Sequence, residues 1–311
     1  AAFARAAEMD PDYRFATTSL FDAAKAAGDL DAAEAALDKL RRKGAADDVL
    51  PREVELAVAR GRNQTAADRL AELCRVGDAP LRSLQSAADA LRRRGMDGVL
   101  RRVLDEAVAA EESAPLAGTV WVETLRHDGR LAEIPGRLEP LLRTAAGRRA
   151  AAAYAQALGE ERRGWRLWWF LRGFGDRLRG DATVWAEVGG SLLEAGSHRA
   201  ACDWFAGWES RSDLEPWMLM NLALAYRSRG MDAAAAEVSR RALSLPAAVA
   251  TSMHRIWLAA DAVVEGRGAE AASLLEDLAP RALTDYYRCL REAVEAAGWA
   301  AAAPPGTSPG A

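Results

Sequence analysis

Glycine recurs down this chain at a nearly fixed interval: Gly28, Gly61, Gly95, Gly129, Gly159, Gly196, Gly230 and Gly266, with gaps of 33, 34, 34, 30, 37, 34 and 36 residues. A period in this range marks a stack of small like units, each touching mainly its neighbours. Such a stack grows along one axis, so 311 residues need no internal domain boundary. The expectation is an all-α solenoid, whose usual product is a long binding surface.

One unit, Pro216 to Pro246, carries the pattern in full. Leu219, Leu222, Ala223 and Tyr226 fall at helical spacing and define one face of a first helix. Gly230 can take the left-handed conformation that ends a helix. Asp232 is expected to cap a second helix, on which Ala235, Val238, Ala242 and Leu245 form the apolar stripe, and Pro246 stops the run. The preceding unit has Trp185, Val188, Gly189, Leu192, Gly196, Ala201 and Phe205 in the same register. Small residues stand where two helices cross closely, and bulky ones fill the space beside the crossing.

This pattern resembles the tetratricopeptide repeat (TPR). The resemblance implies a right-handed α-solenoid of helix-turn-helix repeats over residues 1–299, with a half repeat at 1–12, eight repeats over about 14–280 and a capping helix near 284–297. After Gly159 the register places Gly164, Trp168 and Leu171 inside, and Pro51 is expected to delay the start of its first helix. The alanine-, proline- and glycine-rich stretch 300–311 is expected to be disordered. The leading half unit, with Phe3, Ala6 and Pro11, reads as the cut edge of a longer protein of which this chain is the C-terminal part.

Proteins of the TPR kind line a concave groove with first-helix residues that do not pack internally. Carried over by register, the groove begins with Ser19, Asp22 and Lys25, then Arg82, Gln85, Asp89 and Arg92. Glu123, Arg126, His127, Arg149, Gln156 and Glu187 follow, and Trp217, Met220, Asn221, Arg227, Met253 and Trp257 complete it. The early and middle part is polar, with Arg92, Arg126 and Arg149; the late part is rich in tryptophan and methionine. That contrast suggests an extended peptide, held at one end by charge and at the other by apolar pockets. Tryptophan and arginine are the types enriched at interface hot spots. The plain alternatives are packing between units for the late aromatics and solvated ion pairs for the arginines. His127 beside Asp128 reads as a surface turn residue.

The segment from Arg162 to Arg179 is unusual, with six arginines and one aspartate around Trp165, Trp168, Trp169, Phe170 and Phe174. Its expected form is a wide helix buried on two sides, Trp165 and Trp169 facing the next unit and arginine stems covering the edges. Phe170, on the side of Arg163, Arg166 and Arg177, leaves a second reading open, in which an aromatic among arginines meets an acidic partner or a membrane surface.

Composition narrows function mainly by exclusion. The net charge of −4 lacks the basic excess usual for nucleic-acid binding. Cys74, Cys202 and Cys289 are far apart and form no CxxC pair, which fits small thiols in a reducing compartment. No apolar run approaches the ~18 residues of a membrane span. No phosphate loop, HExxH or GxSxG motif occurs, so no catalytic residue, cofactor or metal site is indicated. The expected function is a cytoplasmic protein-interaction scaffold binding a protein or peptide. The alternatives are the substrate-recruiting or regulatory arm of an enzyme whose catalytic domain lies upstream, and a homodimer formed through the aromatic late units.

Overall fold

The computed structural model describes residues 2–9, 13–43, 46–246, 251–276, 278 and 284–302. All regular structure among them is helical, and no helix there is long and apolar enough to cross a membrane. Pro11 of the leading half unit and residues 303–311 of the tail lie outside the described residues, while 300–302, expected to be disordered, belong to the last helix. The chain divides into two compact units, Ala1–Tyr154 and Ala155–Ala311.

Unit one holds α1 (Ala2–Met9), α2 (Arg14–Ala26), α3 (Leu30–Lys43), α4 (Ala46–Ala59), α5 (Asn63–Leu73), α6 (Leu81–Arg93), α7 (Asp97–Ala109), α8 (Ala117–His127), α9 (Ile134–Leu141) and most of α10 (Ala145–Glu160). Unit two holds the end of α10, then α11 (Gly164–Leu178), α12 (Ala182–Glu194), α13 (His198–Phe205), α14 (Pro216–Arg227), α15 (Asp232–Leu243), α16 (Thr251–Val264), α17 (Gly268–Leu275) and α18 (Asp285–Ala302). Within each unit a helix packs chiefly on the next one or two helices in sequence, as α2 does on α3, α4 on α5 and α6, and α14 on α15. The apolar stripes meet in shared clusters, such as Phe21, Ala33, Leu37 and Leu40 in unit one and Ile256, Ala259, Ala271 and Leu275 in unit two.

The turns share one device. Gly28, Gly61, Gly95, Gly129, Gly196, Gly230 and Gly266 have φ between 67° and 77°. After each, the next residue's N–H reaches back to a carbonyl five positions earlier, as Ser197 does to Leu192 (2.8 Å) and Met231 to Tyr226 (3.0 Å). This is the Schellman closure that satisfies a helix's last carbonyls.

Gly159 does not belong to that series. It lies inside α10, where a Cβ would come 2.6 Å from the Ser191 carbonyl oxygen. The turn is made instead by Arg162, the one non-glycine residue with positive φ (53°) among those described, and Arg163 N–H closes on Leu158 O (2.8 Å). With Arg162 in place of Gly159 the turn spacing becomes 33, 34, 34, 33, 34, 34 and 36 residues, more regular than the glycines alone. A left-handed L-residue costs roughly 1–2 kcal/mol. Arg162→Gly should therefore raise the urea midpoint, whereas Gly196→Val, at φ 71°, should lower it by more than 1 kcal/mol's worth. Equal and small effects at both sites would contradict the shared turn.

The three-residue error in that register inverts α11. Counting from Arg162 puts Leu167 and Phe170 inward, and both are buried. Trp165, Trp168 and Trp169 stand outside, at 66%, 45% and 58% exposure. The expectation of Trp168 inside and of Trp165 and Trp169 against a neighbouring unit is thus overturned. Two smaller expectations also change. α4 starts at Ala46, ahead of Pro51, which sits inside it. Asp232 is the first residue of α15, and Met231 takes the cap position without a side-chain bond. The side-chain cap is seen at Asp181, which accepts from Val184 N–H at the start of α12 (3.1 Å).

Candidate interaction surfaces

In unit one, the first-helix residues assigned to a groove tie successive helices together. Lys25 of α2 pairs with Glu55 of α4, which also accepts from Ser86 Oγ of α6 (2.6 Å). Gln85 of α6 donates to the Glu123 carboxylate of α8 (2.9 and 3.1 Å). Arg92 pairs with Asp89 (2.5 Å) and donates to Thr124 Oγ1 (3.3 Å). Arg126 is exposed and Arg149 half-buried. His127 lies 3.5 Å from Asp128, which Arg101 also holds (2.6 Å). Burial pushes the Asp128 carboxyl up, but the hydrogen bonds from Arg101 and His127 outweigh it and leave the pKa below the ordinary value.

In unit two, α14 and α16 place Trp217 and Met253 at one register position, each 13 residues before its turn glycine, and Asn221 and Trp257 at another, nine before it. All four are half-buried, whereas Met220 is 4% exposed and packs inside. Asn221 Nδ2 donates one of its two N–H groups to Ala186 O of α12 (3.1 Å). Arg227 makes a two-pronged bond to Asp261 (2.8 and 2.6 Å) and lies over the Trp257 ring (4.6 Å to the centroid). Arg227 Nε and Trp257 Nε1 are both buried without an acceptor. Trp217 Nε1 donates to Glu215 (2.9 Å).

Behind this face sits His254, fully buried on α16. Its Nε2 lies 2.8 Å from Pro216 O and its Nδ1 3.2 Å from Ser239 Oγ. A carbonyl only accepts, so Nε2 carries the proton, and in the neutral ring, which burial favours, Nδ1 accepts from Ser239 Oγ–H. Burial holds the pKa below the ordinary 6.5, against the opposing effect of the Pro216 bond and with help from Arg227. The unfolded chain therefore binds a proton that the fold rejects, and stability should fall as pH drops through about 6.5. Melting temperature followed from neutral pH down to about pH 5 checks this. His254→Gln should flatten that slope, and an unchanged slope would place its origin elsewhere.

The outer face of α11 is the third surface. Trp168 and Trp169 meet edge to face (4.9 Å between centroids), and Arg172 lies over both rings (5.3 and 5.8 Å). Arg166 lies over Trp165 (5.6 Å). Beside Trp168 opens a hollow of about 200 Å³ bounded also by Arg172, Arg179, Asp203 and Trp204.

No family model and no curated protein matches this chain.

Several residues of these surfaces escaped the sequence reading. Glu55 stands six residues before Gly61, as Asp22, Asp89 and Glu123 stand before their own glycines, so the register alone contained the signal. Asp261 and His254 carry no such periodic mark. Among the cysteines, Cys74 is buried, which pushes its thiol up to about 12, while Cys289 is exposed.

Proposed function

We propose that the chain is a polypeptide-binding module: a TPR-like, right-handed solenoid of helix pairs, working in a reducing compartment such as the cytoplasm, whose first helices hold an extended segment of a protein partner. Support comes from the repeated hairpin, closed by the same turn every 33 to 36 residues. The single observation that carries the reading is the set of half-buried Trp217, Met253 and Trp257 on α14 and α16. Tryptophans held half-open on a rigid scaffold are typical binding anchors.

Peptides selected on the full chain from a displayed random library provide the test. Those selected should lose at least about tenfold in affinity for the Trp217→Ala, Met253→Ala double variant, with helix content unchanged. Selected peptides that bind this variant as well as the parent would remove the α14–α16 face from the function.

A further inference from the structure

Arginine stacked on tryptophan recurs through this molecule, and wherever the tryptophan is buried or half-buried the pair is closed by an aspartate. Arg137 lies over Trp121 (4.9 Å) and pairs with Asp105 (2.5 Å), which also accepts from Trp121 Nε1 (2.6 Å). Arg211 lies over Trp185 (4.9 Å) and pairs with Asp213 (2.8 Å). Arg227 lies over Trp257 and pairs with Asp261. Arg179 lies over Trp204 (4.5 Å) and reaches Asp176 (3.3 Å). The stacked guanidinium offers its flat face to the ring and its N–H edge to the carboxylate, using both of its binding modes at once.

On the outer face of α11 the same pairs stand without their third member. Arg166 over Trp165, and Arg172 over Trp168 and Trp169, meet no carboxylate among the described residues. Of the six arginines between Arg162 and Arg179, Arg163 pairs with Glu161 (2.8 Å) and Arg179 with Asp176, so the charge left to a partner is that of Arg166 and Arg172. Asp203, at the rim of the hollow beside Trp168, pairs with neither arginine. A second, wider hollow of about 680 Å³ runs from Trp168 past Arg199 and Arg229.

We infer that the outer face of α11 docks an acidic polypeptide segment of a partner protein. Its Asp or Glu carboxylates complete the Arg166 and Arg172 stacks, and its apolar side chains enter the hollows beside Trp168. Charge and chemistry favour an acidic polypeptide, because the N–H edges of Arg166 and Arg172 take discrete carboxylates and a polypeptide presents these beside apolar side chains for the tryptophans. This surface lies on a second helix of a pair and does not rest on the α14–α16 face.

The test uses the full chain, a fluorescein-labelled synthetic peptide of alternating Glu and Leu, and the same peptide with Lys for Glu. Fluorescence anisotropy should show the acidic peptide binding and the basic one not binding. Binding should weaken as salt is raised from below to above physiological strength. Trp165→Ser with Trp169→Ser, and separately Arg166→Glu with Arg172→Glu, should each weaken it at least about tenfold. The arginine-to-glutamate variant should instead gain the lysine peptide, a result that loss of folding cannot produce. Trp217→Ala with Met253→Ala should leave this binding intact, which separates it from the first-helix face. The inference is overturned if the acidic peptide fails to bind or binds these variants equally. It is also overturned if phosphatidylglycerol vesicles, and not the peptide, are captured through the tryptophans, or if light scattering finds a dimer that the same substitutions dissolve.

Discussion

Gly118→Ala is expected to be among the most damaging single methyls that unit one can receive. A Cβ at Gly118 of α8 would lie 1.9 Å from Ala146 O and 2.7 Å from Ala150 N, both backbone atoms of α10. Neither can rotate away, so the two helices have to separate. Overpacking usually costs about 1–3 kcal/mol where side chains can yield. Here backbone meets the intruding atom, and about 3 kcal/mol or more is expected. That is a large share of the roughly 5–15 kcal/mol that holds a domain folded. Urea unfolding followed by circular dichroism measures it. Gly98→Ala is the matched control, because it lies in α7 with nothing within 4 Å of a new Cβ. It should stabilise by about 0.5–1 kcal/mol through helix propensity alone. Similar midpoints for the two variants would mean that α8 and α10 do not approach as closely as described.

Phe205→Ala should have a comparable effect in unit two, about 3–5 kcal/mol. Phe205 of α13 is fully buried, edge to face against Trp185 of α12 (4.7 Å between centroids, 80° between planes). Its ring lies directly over Gly189, where a Cβ would come 1.9 Å from Cζ. The two sites are therefore one packing problem. Gly189→Ala alone should destabilise by about 1–3 kcal/mol. Combined with Phe205→Ala it should add little, since the methyl enters the space the ring has left. Costs that simply sum would show that ring and glycine are not in contact. Trp204 Nε1 donating to Trp185 O (2.8 Å) fixes the same crossing from the other side.

How far the fold could be read from the chain depended on which residue types mark a turn. Seven turns carry glycine because a left-handed backbone suits it, so their period was visible without coordinates. The remaining turn uses Arg162, and a nearby glycine with a packing role, Gly159, stood in for it. That slip of three positions moved Phe170 to the wrong side of α11 and hid the exposed tryptophans. Composition could not correct it, since Trp, Leu and Phe are all acceptable core residues and only the phase of the helix distinguishes them. The polar first-helix residues were located by register, but their partners were not. Lys25 with Glu55, and Arg227 with Asp261, join different helix pairs, and no local pattern announces which side chains will meet.

The contacts that join helices also stay short along the chain. Gln85 reaches Glu123 and His254 reaches Pro216 across 38 residues, little more than one turn-to-turn interval. Closing such short loops sacrifices little chain entropy, and each doubling of span would add only about 0.6 kcal/mol. Assembly can therefore begin at any hairpin and spread to the next, as in topologies dominated by local contacts, which fold quickly. During synthesis, a helix emerging within either unit would find the helix it packs on already made, so few apolar stripes would stay uncovered at once.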